Sequence, residues 1–440
     1  MITRRGFIGA SSATAVAMAA AQDPIQKLSR ENLKITDIKV TLLSYELPKD
    51  KRWYTKDLVC WKTDAILVQV FTDKGIVGIG ESSQYGGSRE VKTFIDGQIR
   101  PRLVGKNPFD VEHLTWAWAS DPFRGGSVEA RGNGQQVGWA GVDGACWDII
   151  GKAKSLPVYK LLAADNESDP HLRVYASGGV EYAWYKRPEA LIEEAVRHKE
   201  NGYTAFKFRI GTEWKNSGIT VHKYIPWVRR MREAVGPKFD LMQDANMRLT
   251  LDQCLELAPV YREIGLHWFE EPFPRTAERS FEDHAKLKEA LGPVKISGCE
   301  NLVSRLEFKE WADRGYDIIQ PDCNVVGVSE AWHVARMAHA QGKICCPHNW
   351  HGGLTTMMNA ALVAGIPNRH MLELNQTFNP LKEEVFKEPL VVKNGYMDLP
   401  NKPGFGVELA GSAEQLAKKF PYLEEYYYRP NTELPPVPVA

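Results

Sequence analysis

The chain has 440 residues, 43% of them hydrophobic and 25% charged, with 36 glycines and 26 prolines. That composition excludes collagen-like, disordered and disulfide-scaffold classes, and the length suggests roughly two or three domains. Lysine plus arginine equals aspartate plus glutamate at 55 each, so no global field draws the chain to nucleic acid or to an anionic membrane.

At the start, Thr3-Arg4-Arg5-Gly6-Phe7-Ile8 leads into an apolar, alanine-rich stretch over residues 7–21. That stretch is too short to span a bilayer, so no stable membrane insertion is expected. Ala17, Ala19 and Ala21 offer a cleavage site ahead of Gln22-Asp23-Pro24. The pattern resembles a twin-arginine export signal over residues 1–21, which predicts a periplasmic protein exported already folded. The seven cysteines (Cys60, Cys146, Cys254, Cys299, Cys323, Cys345 and Cys346) show no CxxC or finger-like spacing. They read as buried small hydrophobes.

Residues 34–46 alternate apolar and polar, and residues 64–79 read as two β-runs around Asp73-Lys74-Gly75, a hairpin. Residues 108–120 and 134–163 have helical spacing, so residues 34–150 form a predicted α+β unit. Between its elements lie segments rich in Trp, Tyr, Arg and Gly, over Lys51–Trp61, Ser82–Arg89 and Phe123–Gln136. Such loops carry contacts to small molecules as well as ordinary surface decoration. Trp53, Tyr54, Tyr85, Arg124 and Arg131 are the candidates there.

From residue 171 the pattern becomes a short apolar run followed by a helix-like stretch, repeated. The runs are Leu172–Ala176, Ala205–Phe208, Phe239–Met242, His267–Phe269, Lys295–Ile296, Tyr316–Ile319, Lys343–Cys346 and His370–Leu372. Eight βα units predict a (β/α)8 barrel over residues 151–385, near the roughly 250-residue norm. A doubly wound sheet is the alternative, but no GxGxxG follows the first run.

From the second run onward, nearly every run ends in a polar or charged residue, seven in all: Lys207 (with Arg209), Asp244, Glu270, Glu300, Asp322, His348 and Glu373. Any one alone is as readily a helix cap or a solvated loop charge. In a barrel, however, strand C-termini converge on one mouth. Asp244, Glu270 and Glu300 would then meet on adjacent strands and repel. A hard divalent cation resolves that repulsion, and an all-oxygen donor set favours Mg²⁺ over zinc. Lys207 and Arg209 alternate, so they face one way and suit a substrate carboxylate. Asp322 and His348 come from neighbouring strands, as when a carboxylate orients an imidazole base. Glu373 is placed to hydrogen-bond an oxygen on which charge develops. Together they describe removal of a proton α to a carboxylate, with the cation stabilising the enediolate.

The ordered set resembles the enolase superfamily, mandelate racemase subgroup, over about residues 34–415. The similar stretches are Gly141-Val142-Asp143-Gly144-Ala145-Cys146-Trp147-Asp148-Ile149-Ile150-Gly151-Lys152, Phe206-Lys207-Phe208-Arg209, Asp244-Ala245-Asn246, Phe269-Glu270-Glu271-Pro272, Gly298-Cys299-Glu300-Asn301, Gln320-Pro321-Asp322, Pro347-His348 and Leu372-Glu373-Leu374. Pro403-Gly404-Phe405-Gly406 resembles a C-terminal segment that returns to the cap, here residues 386–430. The resemblance implies Asp244, Glu270 and Glu300 as Mg²⁺ ligands, Lys207 on the substrate carboxylate, Asp322–His348 as the dyad and Glu373 as the electrophile. The resemblance also implies a His or Lys base working with Mg²⁺. Asn246 joins the cap-loop residues as a candidate substrate contact. One departure matters: the family's Lys-x-Lys is here Lys207-Phe208-Arg209, and arginine is a poor base though a good clamp. One base favours dehydration of a sugar acid over racemisation or epimerisation. A non-catalytic exported binding protein is the third reading, and a homo-oligomer is expected.

Overall fold

The computed structural model describes residues 28–55, 58–111, 134–164, 167–181, 187, 189–209, 220–275, 280–350 and 352–431. The predicted leader, Arg124 and Arg131 lie outside the described residues.

The cap is built on strands β1 (Ile35–Glu46), β2 (Trp53–Thr55), β3 (Leu58–Cys60), β4 (Lys62–Thr72) and β5 (Val77–Ser82). β4 is the centre of an antiparallel sheet, with β1 on one side and β5 on the other. The β4–β5 turn falls at Asp73-Lys74-Gly75, where Gly75 takes φ 76°. Helix Gly134–Ala153 lies across β5 so closely that a Cβ at Gly78 or Gly80 would stand 2.0 or 2.1 Å from its carbonyl oxygens. Only glycine permits that approach.

The eight barrel strands follow: β6 (His171–Gly178), β7 (Ala205–Arg209), β8 (Asp240–Asp244), β9 (Trp268–Glu270), β10 (Lys295–Gly298), β11 (Ile318–Ile319), β12 (Ile344–Cys345) and β13 (Leu372–Asn375). Parallel ladders join β6 through β12 in sequence order, and β13 returns to pair with β6. Among the described residues β12 meets the segment leading into β13 through an isolated bridge, Cys345 to Arg369. Tyr175, Ala205, Met242, Trp268, Ile318, Cys346 and Met371 fill the bore as a separate apolar cluster. The amphipathic helices pack outside, as their apolar stripes require. All seven cysteines are buried and unpaired.

β14 (Val392–Lys393) and β15 (Tyr396–Asp398) form a hairpin on the edge of β6. Further on, β16 (Tyr428–Pro430) pairs with β3, and Phe405 N donates to Asp148 Oδ1 on the long cap helix at 2.9 Å. The C-terminal segment thus touches both parts of the molecule. Among the described residues no helix is long and apolar enough to cross a membrane.

Candidate active site

Register explains why the polar strand ends meet. Arg209 pairs with Asp244, Asp244 with Glu270, and Glu270 with Ser297 across successive parallel ladders. Residues in register on adjacent strands share a face, so these side chains enter one space. Just beyond the strands the backbone turns sharply: Asn246, Met247, Glu271 and Cys299 all have positive φ. Non-glycine residues rarely adopt it, and such outliers gather at functional sites. The turn at Asn246 lets its N–H donate to Asp244 Oδ1 at 2.7 Å.

Lys207, Arg209, Asp244, Glu270, Glu300, Asp322, His348 and Glu373 are all buried, none more than 7% exposed. Lys207 Nζ lies 2.5 Å from Glu270 Oε1 and 2.9 Å from Glu373 Oε1. Burial works against the Lys207 ammonium, but Glu270, Glu373, Asp244 and Glu300 outweigh it and hold its pKa well above the usual lysine range. Arg209 Nε lies 2.7 Å from Asp244 Oδ2, and its guanidinium stacks over Trp350 with 4.9 Å to the ring centre. His348 Nδ1 is 2.7 Å from Asp322 Oδ2, and Nε2 is 3.3 Å from Glu300 Oε2. With Nδ1 held by Asp322, Nε2, which stands against Glu300, is the nitrogen that would work as a base. Burial tends to lower the imidazole's pKa, but Glu300, Asp322 and Glu373 raise it above the ordinary histidine value.

Glu373 lies opposite Tyr175 in the β13–β6 register, and its Oε2 accepts from Asn349 N at 2.8 Å. Glu270 Oε2 accepts from Gln320 Nε2 at 2.9 Å and Trp268 Nε1 at 3.1 Å. Asn359 Nδ2 donates to His348 O at 3.0 Å and to Asp322 Oδ1 at 3.2 Å. Asn349, Asn359, Gln320, Trp268 and Trp350 were not anticipated as site residues. Gln320 and Trp268 had a signal, since each lies two residues from a strand-end carboxylate and so shares its face.

Of the cap-loop candidates, Trp53 and Tyr85 join Trp350 and Tyr427 in one buried aromatic cluster. Trp53 meets Trp350 edge-on at 5.7 Å, and Tyr85 is close enough to bear electrostatically on Arg209. Tyr54 is half-buried and donates its backbone N–H to Val180 O at 2.8 Å. Asn246 Oδ1 accepts from Arg248, 2.8 Å away. The cap therefore lies over the barrel mouth.

Among the described residues, five buried carboxylates (Asp244, Glu270, Glu300, Asp322 and Glu373) face Lys207, Arg209 and His348. Burial first, then Asp244, Glu373 and Glu300, push the Glu270 carboxyl above the usual carboxylate range despite Lys207. That excess of negative charge and an oxygen donor set fit a hard divalent cation. As the side chains stand, no three donors among the described residues converge as a ready-made metal cluster. Asp244, Glu270 and Glu300 are turned onto Arg209, Lys207 and His348 respectively.

The family model for the mandelate racemase / muconate lactonizing enzyme N-terminal domain matches residues 59–163, and the enolase C-terminal domain-like model matches residues 190–413. The chain belongs to the enolase superfamily, mandelate racemase subgroup. This enolase-superfamily chain is 31% identical to arabinonate dehydratase of Saccharolobus solfataricus over 84% of its own length and 96% of that protein. It is 29% identical to D-xylonate dehydratase of Haloferax volcanii over 86% of itself and 87% of the relative. Its similarity to D-galactarolactone cycloisomerase of Agrobacterium fabrum is 27% identity, over 86% of this chain and 97% of the other. Among solved structures, an enolase-superfamily member from Polaromonas sp. JS666 superposes with a TM-score of 0.77 at 29% identity. That match covers 89% of this chain and 99% of the other. The cap and the (β/α)8 barrel are the architecture this likeness supports.

Proposed function

We propose that the chain is a hydro-lyase that dehydrates a sugar acid to a 2-keto-3-deoxy acid. The observation that carries this reading is the asymmetry of the site. Among the described residues of the site, one imidazole–carboxylate pair, His348–Asp322, lies on one side. The other side offers Lys207 and Arg209, both tied to carboxylates and kept protonated. The dehydratase relatives support the same reading, and the cycloisomerase among them keeps isomerisation as the alternative outcome.

In this reaction His348 Nε2 takes the α-proton, and the C–H electron pair moves into a C–C double bond as the carboxylate becomes an enediolate. That electron density then expels the β-hydroxyl, which leaves as water with the proton His348 had taken. The resulting enol becomes the 2-keto acid. Lys207 holds the substrate carboxylate, Arg209 clamps it, and Glu373 hydrogen-bonds an oxygen on which charge grows. Asp244, Glu270 and Glu300 would hold Mg²⁺, which when bound supplies positive charge for the carboxylate oxygens. Trp53, Tyr85 and Trp350 exclude water from this space.

The test is a panel of aldonic and aldaric acids incubated with the protein and Mg²⁺ in D₂O. A 2-keto acid product with no inverted epimer is the expected result. An epimer would transfer the chain to the isomerases, and no α-proton exchange with any acid would leave it a binding protein. Export through residues 1–21 belongs to the same proposal and rests on Arg4, Arg5 and the alanine-rich run. Replacing both arginines by lysine should strand the precursor in the cytoplasm; unchanged export sinks the leader.

A further inference from the structure

Two of the barrel helices begin at a glycine and so have no side-chain cap of their own. Helix Val328–Ala340 follows the segment that carries Asp322, and helix Gly353–Gly365 follows the loop that carries His348. Their N-cap residues are Gly327 and Gly352, and neither has a side-chain cap hydrogen bond. The first N–H groups of a helix have no partner inside it, and buried they need one. In both cases the partner is a carboxylate from the cap.

Asp143, on helix Gly134–Ala153, accepts from Ser329 N at 3.0 Å and from Ser329 Oγ at 2.5 Å. One turn along, Trp147 Nε1 donates to the same hydroxyl at 2.9 Å. Glu81, the fifth residue of β5, accepts from Gly352 N at 3.2 Å and from Thr355 N at 3.0 Å. The glycines make room for this. A Cβ at Gly327 would lie 3.0 Å from Asp143 Oδ2, and one at Gly352 only 2.3 Å from Glu81 Oε1.

The helix that Glu81 seals is the one that holds the reacting groups. Its Asn359 bonds both His348 O and Asp322 Oδ1. Thr355 Oγ1 accepts from Asn324 Nδ2 at 3.1 Å, and Thr356 Oγ1 from Asn349 Nδ2 at 3.1 Å. Asn349 in turn donates through its backbone to Glu373. The helix that Asp143 seals follows, across Gly327, the short helix Cys323–Val326 that Asp322 caps.

We propose that Glu81 and Asp143 are positioning residues, through which the cap fixes the Asp322–His348 pair by capping the two helices behind it. This deepens the proposed reaction and rests on it for the kinetic half of its test. Docking of the cap then does more than cover the mouth: it completes the geometry of the base. A misplacement of about 1 Å from a change remote from the chemistry can cost on the order of 100-fold in rate.

The experiment uses the full chain carrying Glu81→Gln, Asp143→Asn, and both together. Each substitution keeps the shape and places an amide where a carboxylate accepted two donors. The α-proton exchange kcat of the double variant should fall by about 10–100-fold with KM within about threefold. Mn²⁺ affinity should be unchanged, because the predicted ligands lie on other strands. A second readout needs no turnover: the low-field Nδ1–H proton resonance of His348, which reports its bond to Asp322, should broaden or vanish. An unshifted resonance, or a kcat that falls only together with Mn²⁺ affinity, overturns the proposal. Absence of turnover by the unaltered protein counts against the dehydratase reading, and the resonance still decides this one. Should the double variant fail to fold, the two single variants give the same readouts.

Discussion

Arg209 Nε lies 2.7 Å from Asp244 Oδ2, its partner in register on the next strand. The guanidinium is therefore fixed as a clamp, and with Trp350 under its plane it has one orientation. Arg209→Lys would keep the charge and lose the planar fork. We expect kcat/KM to fall by about 10–100-fold, the range of one or two lost hydrogen bonds to a charged group. The sole product should remain the keto acid. An inverted epimer formed by the unaltered protein and lost in Arg209→Met would make Arg209 a base.

Metal dependence follows from the charge count. Removing divalent ions with a chelator should abolish exchange and product formation, and Mg²⁺ should restore both. Since the ion binds only the folded chain, saturating Mg²⁺ at about 100 times its Kd should add about 2.7 kcal/mol to stability. Glu270→Gln should lose most of that thermal shift while the far-ultraviolet circular dichroism stays unchanged. Full turnover in chelator would remove the metal from the mechanism.

Much of this was legible in the chain because a barrel repeats one local rule: a short apolar run closing on a polar residue. Lys207, Asp244, Glu270 and His348 stand out for that reason, with no knowledge of what lies beside them. The contacts that hold those groups obey no local rule. Glu81 meets Gly352 across 271 positions, and Asp143 meets Ser329 across 186. Asn359 sits in Gly353–Gly365, a wholly buried helix that reads as plain core. The pairing of Arg209 with Asp244 depends on strand register, and one residue of slip would turn the arginine outward. The aromatic loops gave a mixed return: Trp53 and Tyr85 join the cluster over the mouth, while Trp350 lay unmarked beside His348.

Glu81 also carries a dependence of stability on pH. Burial pushes its carboxyl up to about 7, against the N–H groups of Gly352 and Thr355, with Asp322 adding a little. In the unfolded chain the same carboxyl titrates near 4.5. Between those values the folded state holds the proton and the unfolded state does not, so stability falls as pH rises. By about pH 7 the loss attributable to Glu81 should approach about 3 kcal/mol, from 1.36 kcal/mol per pH unit. Glu81→Gln should remove that slope. Melting temperatures at pH 5 and pH 8, in chelator, decide it: the variant should gain on the native chain as pH rises. A gain by the native chain instead would mean that the helix N-terminus favours the ionised form.

His348 gives the sharpest division between one base and two. Its Nε2 is the working nitrogen because Asp322 occupies Nδ1, and the pair is closed from behind by Asn359. His348→Asn keeps a polar side chain of smaller volume and removes the base. With His348 as the base on that side, α-proton exchange and keto-acid formation should vanish together. General-base loss is worth about 10²–10⁴-fold, and more when the same imidazole returns the proton to the departing hydroxide. Substrate binding should persist, because Lys207 and Arg209 remain, and a KM-like affinity measured by calorimetry should change little. Exchange in D₂O is the deciding measurement because it reports proton removal even when elimination is blocked. If His348→Asn still washes deuterium into one epimer of the substrate, a second base faces the opposite side of the α-carbon. In that event the asymmetry of the site has been misread, and racemisation becomes the better account of the reaction.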